Sequence, residues 1–349
     1  MEIRIRDRIL NIPIVQGGMG VGVSLGGLAG AVAAEGGMGT ISMVGIGYRE
    51  EDFYKNFTNS CIRAYKKELE KAKEIAKGRG LIAANLMSVV EDYDQLEEAI
   101  LDSEIDAVVV GAGLPLNLPK NNIKKKLLAP IVSGKRALDV IVRSWKRRYD
   151  TLPDFVILEG KGAGGHLGFG LEELDDDKVN LPSLAKDVAD YLKGIFDDTG
   201  ISIPFFVAGS VMDAEDLKTY LDIGASGLQI GTRFLATHEA DVHENMKKKV
   251  VESTSKDLRI IKSPVGIYGR ALANRFLEEL EEGRIPPKRC VNCLKPCEPK
   301  TTNFCIQEKL VQTARGDVEN GLVFCGSRVD EINEILSVRQ VIDRVLGVE

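Results

Sequence analysis

The sequence predicts an α/β fold, a closed (β/α)8 TIM barrel with a smaller, mainly helical C-terminal cap. Eight short apolar runs alternate with helix-like segments up to residue 237, and most of these runs are followed directly by glycine. Short links between alternating strands and helices make the strands parallel, and a count of eight favours a closed barrel over an open sheet. The length of 349 residues exceeds the roughly 250 that such a barrel needs. We therefore expect a barrel over residues 1–237 and a cap over residues 238–349.

The predicted strands are short and apolar, as expected for parallel strands that are buried on both faces. They lie at residues 12–16, 40–44, 81–87, 107–110, 130–133, 155–158, 204–208 and 227–230. The predicted helices of the barrel lie at residues 25–34, 50–77, 93–101, 137–148, 181–196 and 213–221. In the cap, helices are predicted at residues 239–252, 271–280, 310–314 and 332–346, with a loop at residues 263–270.

Composition narrows the class of protein. The net charge of -6 and the pI of about 5.4 argue against nucleic acid as a partner, because phosphate binding needs uncompensated Lys and Arg. No apolar stretch approaches the roughly 20 uncharged residues of a membrane helix, and the N-terminus lacks the apolar core of a signal peptide. We therefore expect a cytoplasmic protein that binds neither nucleic acid nor a membrane.

Glycines follow predicted strands one, four, six, seven and eight. In a barrel these positions form one rim, the C-terminal face where ligands bind. Gly209-Ser210 and Gly231-Thr232 follow strands seven and eight, where barrels commonly bind phosphate through backbone N–H groups. The Gly-x-Gly-x-x-Gly spacing occurs at Gly160–Gly165, but the next predicted helix begins only at residue 181, whereas the Rossmann fingerprint opens a helix. A P-loop is absent, so neither a Rossmann domain nor an ATPase has motif support.

The loop after strand six, Glu159 to Gly170, holds six glycines and one of the three histidines, His166. Imidazole is the side chain whose ordinary pKa lies nearest neutrality, so at a strand mouth it suits acid/base chemistry. The alternative is a glycine-rich surface loop with a solvated histidine.

Five stretches together resemble the nitronate monooxygenase (2-nitropropane dioxygenase) family of FMN-dependent TIM barrels, which is related to FMN-dependent enoyl-(acyl-carrier-protein) reductases. The stretches are Pro13–Met19, Asn85–Met87, Ala163–His166, Val207–Ser210 and Gly227–Leu235. They occur in the family's order and span the whole proposed barrel. The sequence departs from the family at Lys161-Gly162, where many members carry an acidic residue, and at Ser210, where glycine is common.

The resemblance implies FMN bound across the barrel mouth, with His166 as the catalytic residue. It places Gly18 and Met19 near the isoalloxazine ring and Asn85 in a hydrogen bond to it. The phosphate end is assigned to residues of three rim loops: Gly164, Gly165, Gly209, Ser210, Gly231 and Thr232.

Three functions remain open. The first is oxidation of small alkyl nitronates with oxygen. The second is reduction of an enoyl thioester with NAD(P)H. The loop Gly111-Ala112-Gly113-Leu114-Pro115 resembles the loop at this position in the reductases. The third is a flavin-free barrel that binds a phosphorylated metabolite. A homodimer is compatible with each of them.

Four of the six cysteines lie close together, at Cys290, Cys293, Cys297 and Cys305. Four thiolates at such short spacings are typical of a zinc site or an iron–sulfur cluster, although the spacing matches neither standard signature. Packed or free thiols are the alternative, because cysteine is among the most buried residue types.

Overall fold

The computed structural model describes residues 2–122 and 125–348. The chain opens with an antiparallel hairpin of β1 (Ile3–Ile5) and β2 (Arg8–Leu10). Eight parallel strands then close into a barrel, which confirms the predicted fold class. In chain order they are β3 (Ile14–Gln16), β4 (Met38–Ser42), β5 (Leu81–Met87), β6 (Ala107–Gly111), β7 (Leu127–Val132), β8 (Val156–Glu159), β10 (Phe205–Ala208) and β11 (Gly227–Ile230). The barrel closes where β11 pairs with β3, with Leu228 beside Ile14 and Ile230 beside Gln16.

The barrel interior is filled by one alternate set of strand side chains, because successive residues of a strand point to opposite faces. This inner set is apolar in its lower layers and includes Met38, Val109, Phe155, Ile157 and Phe206. The hairpin adds three side chains to the same interior and so covers the lower end of the barrel: Ile3, Ile5 and Leu10. Ligands therefore have access to the interior from the opposite, C-terminal end.

Helices cover the outside of the barrel, and the sequence placed most of them within a few residues. They are α1 (Gly26–Ala34), α2 (Phe57–Ala76), α3 (Tyr93–Leu101), α4 (Lys135–Tyr149), α5 (Leu171–Asp175), α6 (Leu181–Thr199), α7 (Ala214–Ile223) and α8 (Thr232–Leu235). The prediction that α2 begins near residue 50 was wrong. Phe53 is buried in the core and its ring lies against those of Tyr54 and Phe57, which holds the preceding residues in turns.

The tail beyond residue 237 contains more strand than predicted. Its elements are α9 (Glu244–Glu252), β12 (Leu258–Lys262), β13 (Tyr268–Leu272), α10 (Arg275–Glu282), α11 (Ile306–Ala314) and α12 (Val338–Leu346). The predicted helix start at Ala271 was wrong, because Ala271 pairs with Arg259 in an antiparallel ladder. The second edge of β13 pairs with β9 (Gly165–His166), a contact that no local pattern encodes.

The tail packs on the barrel through an apolar core that the two parts share. Phe276, Phe304, Leu310 and Val341 belong to the same buried cluster as barrel residues such as Leu228. The division at residue 237 therefore stays a prediction about chain organisation. Within the described ranges, no helix is both long and apolar enough to cross a membrane.

Candidate active site

A cleft of about 1400 Å³, including its open part, lies at the C-terminal rim of the barrel. All ten residues that the sequence assigned to catalysis or cofactor binding line it: Gly18, Met19, Asn85, Gly164, Gly165, His166, Gly209, Ser210, Gly231 and Thr232. They come from the ends of several strands that are far apart in sequence. Barrel closure brings them together, because the carboxyl ends of parallel strands share one rim.

The floor of the cleft is polar, in contrast to the apolar barrel interior beneath it. Ser42, Asn85, Glu159 and Gln229 sit at the upper ends of β4, β5, β8 and β11 and line the cleft. Asn85 donates a hydrogen bond from Nδ2 to the carbonyl of Val109 at 3.2 Å. The hydroxyl of Ser42 is buried and has no partner among the described residues. A buried hydroxyl without a partner is costly, so this floor suits a ligand that carries polar atoms.

The Met19 loop is held in place by buried hydrogen bonds. Gln16 accepts from the N–H of Thr40 at 2.8 Å and donates to the Ser24 hydroxyl at 2.8 Å. That hydroxyl also accepts from the N–H of Met19 at 2.9 Å. A Cβ on Gly18 would lie 2.3 Å from Cβ of Asn85, so only glycine lets the loop approach this strand so closely.

The loops after β10 and β11 line the cleft beside the Met19 loop. Gly209 and Ser210 adopt left-handed φ values of 88° and 70°. For serine this conformation costs roughly 1–2 kcal/mol, which accords with the resemblance to a family in which glycine is common here. A Cβ on Gly231 would contact only the sulfur of Met19, at 3.7 Å, so the backbone borders open space. The N–H groups that begin α8, which lack acceptors within the helix, follow directly.

A tail segment, Phe324 to Arg328, covers this part of the cleft, and no local sequence pattern predicted it. Gly326 donates its N–H to the Thr232 hydroxyl at 3.0 Å, and Ser327 donates to the carbonyl of Gly162 at 2.9 Å. A Cβ on Gly164 would lie 2.5 Å from the carbonyl carbon of Cys325. The glycine assigned to the cofactor therefore also packs directly against the tail.

The guanidinium of Arg328 is paired with carboxylates and is therefore not a free cation in the cleft. Its guanidinium donates to Asp213 at 2.7 Å, to Asp216 at 2.5 Å and to Glu331 at 2.5 Å. These three carboxylates raise the pKa of Arg328, so it stays charged and paired. An anion bound beside the loops after β10 and β11 would therefore accept hydrogen bonds mainly from backbone N–H groups.

His166 is fixed by three neighbours, so the solvated-histidine alternative was wrong. Its backbone pairs with Gly269 of β13, and its Nε2 lies 2.8 Å from the hydroxyl of Ser263. The ring meets that of Phe324 edge-on, with centroids 5.1 Å apart. Burial lowers the pKa of His166 to about 4, because desolvation disfavours the charged imidazolium. At neutral pH the imidazole is therefore uncharged.

Glu159 is a site residue that sequence reasoning missed. Among the described residues that line the cleft, it is the only one with an acidic side chain. Burial raises its pKa to about 7. A signal was available, since strand alternation puts Phe155, Ile157 and Glu159 on one face and the first two fill the barrel interior. A carboxyl group that titrates near neutrality can store or release a proton under physiological conditions.

The four clustered cysteines lie away from the cleft and line a small cavity of their own: Cys290, Cys293, Cys297 and Cys305. None forms a disulfide. Burial, with smaller effects from the other three thiols, raises the pKa of Cys293 to about 12. Among residues 2–122 and 125–348, no group of three or more metal-ligating side chains is close enough to hold a metal ion. The metal site predicted from the spacing thus stays a prediction.

Comparison with known proteins decides the family. The model of the family described as nitronate monooxygenase matches residues 4–347. The chain belongs to the nitronate monooxygenase family. It is accordingly an enzyme of the FMN-dependent oxidoreductase type, and this membership argues against a flavin-free barrel.

Individual relatives of this nitronate monooxygenase family member are distant but match over nearly full length. A probable nitronate monooxygenase of Bacillus subtilis (strain 168) is 25% identical, and the match covers 96% of this chain and 95% of that protein. The structure of FabK from Thermotoga maritima superposes with a TM-score of 0.69 at 24% identity, covering 96% of this chain and 91% of that one. The structure of nitroalkane oxidase from Streptomyces ansochromogenes superposes with a TM-score of 0.71 at 20% identity, covering 96% of this chain and 95% of that one. At these identities the two solved structures establish the shared fold.

Proposed function

We propose that the protein oxidises alkyl nitronates with molecular oxygen, using FMN bound across the barrel mouth. The observation that carries the proposal is the convergence of three features in one cleft. The cleft has a polar floor, a backbone turn lined by glycines and an uncharged histidine. This arrangement suits an elongated ligand with a heteroaromatic ring and a phosphate.

The residues present fit FMN. The unpartnered hydroxyl of Ser42 and the amides of Asn85 and Gln229 would meet the polar edge of the ring. The backbone of Gly209 and Gly231 would receive the phosphate, with the first N–H groups of α8 as donors. Bound there, FMN would supply the redox chemistry, taking electrons from the nitronate and passing them to oxygen.

The role proposed for His166 follows from its charge state. With a pKa of about 4 the ring of the ligand-free protein is neutral at pH 7, so it presents no positive charge to an arriving anionic nitronate. It can accept a proton or form a neutral hydrogen bond to the substrate. Because Nε2 is engaged by Ser263, Nδ1 is the ring nitrogen without a hydrogen bond in the described part of the chain. Ser263 thereby orients the ring and sets its tautomer.

The second candidate is an NAD(P)H-dependent enoyl-(acyl-carrier-protein) reductase. It is favoured by the Gly111–Pro115 loop, whose residues Gly111 and Ala112 line the cleft. The two candidates share the flavin and the histidine and differ in which compound reduces the flavin.

Anaerobic stopped-flow mixing separates them. The purified protein is mixed in turn with propyl-2-nitronate, NADH and NADPH, and flavin absorbance is followed. Rapid bleaching by the nitronate alone supports the leading proposal, and bleaching only by a reduced nicotinamide supports the reductase. Chromatography of the flavin released by heat tests the cofactor, and FAD as the sole species would contradict FMN.

A further inference from the structure

A second cavity opens behind His166, and we call it the side pocket. It encloses about 500 Å³ including its mouth and shares Val44, Met87, His166 and Leu310 with the cleft. Its remaining walls are almost entirely apolar and reach Phe57 at the start of α2 and Leu96 on α3. An apolar cavity of this kind holds no ordered water and so favours an apolar guest.

The tail builds one wall of the side pocket and fixes its shape. Leu294 forms a β-bridge with Val90, and Lys295 donates its N–H to the carbonyl of Val89 at 2.9 Å. Glu91 donates to the carbonyl of Cys293 at 3.1 Å. Leu294 and Val90 both line the pocket. These main-chain hydrogen bonds between two loops hold this wall of the pocket in place.

One polar group stands at the neck of the side pocket. Gln307 is 4% exposed, and its Nε2 has no hydrogen-bond partner among the described residues. It lies one helical turn from Leu310, which borders both cavities, and a Cβ on Gly45 would lie within contact of its amide. An unpaired buried amide of this kind costs free energy unless a ligand atom accepts from it.

We propose that the side pocket and Gln307 select an amphiphilic substrate with an oxygen-bearing head and an unbranched aliphatic tail. The head would lie at the neck, between His166 and Gln307, with an oxygen accepting from the amide. The tail would extend toward Phe57 and Leu96. This inference deepens the proposed function and rests on it, because it names the class of nitronate that the site accepts.

Binding of neutral 1-nitroalkanes, from nitroethane to nitrodecane, tests the proposal without turnover. Isothermal titration calorimetry on the purified holoenzyme gives the Kd for each chain length. Burial of each methylene should tighten binding about fourfold until the pocket is full, after which the gain stops. The KM of the matching nitronates should follow the same steps while kcat changes little.

Three variants locate the binding determinants. Val90→Phe shortens the pocket and should end the gain at a shorter chain, and Leu96→Ala should extend it to a longer one. Gln307→Leu should weaken the binding of 1-nitroalkanes of every chain length by a similar factor of about tenfold, since it removes one hydrogen bond to the head. Val140→Phe is the matched control, because Val140 is 42% exposed on α4 and lies outside the pocket. Melting temperature and flavin content verify that each variant folds.

The outcomes separate this inference from the proposed reaction. Turnover of nitronates with a Kd that is independent of chain length, and unchanged by the pocket variants, would overturn the side-pocket assignment and leave the reaction standing. A steep dependence of Kd on chain length that the variants shift, without any nitronate turnover, would support the pocket and contradict the reaction. Equal effects of Val90→Phe and Val140→Phe would also overturn the assignment.

Discussion

Replacement of Glu159 by Gln should change the way in which stability depends on pH. The wild-type carboxyl group sits at the polar floor of the cleft, and burial raises its pKa from an ordinary value of 4.5 to about 7. The folded protein therefore keeps this proton over a range in which the unfolded chain has released it. Between pH 4.5 and pH 7 the contribution of Glu159 to stability decreases as the pH rises.

The magnitude follows from the difference between the two pKa values. A tenfold change in proton affinity corresponds to about 1.4 kcal/mol, so the stability lost over this range is about 3 kcal/mol. The pKa shift of His166 has the opposite effect on how stability changes with pH. Its pKa is lowered from 6.5 to about 4, so the unfolded chain binds the extra proton and stability increases between pH 4 and pH 6.5. The two effects nearly cancel in the wild type, and the Gln variant retains only that of His166.

Urea unfolding of flavin-free protein at several pH values between 4.5 and 7.5 measures the effect. Relative to wild type, the free energy of unfolding of Glu159→Gln should increase by about 3 kcal/mol across this range. Glu98→Gln, an exposed change on α3, serves as the matched control and should follow the wild-type profile. Parallel profiles for wild type and Glu159→Gln would refute the assignment of a near-neutral pKa to this carboxyl group.

Three further predictions concern the remaining groups. His166→Ala should lower turnover per bound flavin about 10²- to 10⁴-fold with flavin content unchanged, and full activity per flavin would show that the residue is structural. Gly231→Val should instead lose flavin while the melting temperature of the flavin-free protein is kept, because a side chain there enters open space. Gly165 is a poorer position for this test, since its φ of 77° strains any replacement. The segment Cys290–Cys305 is predicted to bind zinc or an iron–sulfur cluster, and metal and sulfide assays at background level on anaerobically purified protein would show that its thiols are merely packed.

Local patterns along the chain were sufficient to predict the barrel and the rim that carries the site. Apolar runs, glycines and caps act over a few residues, and eight repeats of strand and helix leave few ways to bury them. Asp213 shows this, since a helix was predicted to begin there and Asp213 caps α7 by accepting from the N–H of Asp216 at 2.9 Å. The individual site residues were assigned mainly from the family resemblance, and their roles stay predictions.

Contacts between distant segments could not be read from those patterns. Ser263 forms a hydrogen bond with His166, which lies 97 residues away in the sequence. The tail residue Gly326 donates a hydrogen bond to Thr232, which lies 94 residues away. Strand alternation groups Glu159 with Phe155 and Ile157, but only the closed barrel decides that this face of β8 points inward. A local pattern records how one segment buries its own side chains, whereas the partner of a buried polar group is set by which segments the fold brings together.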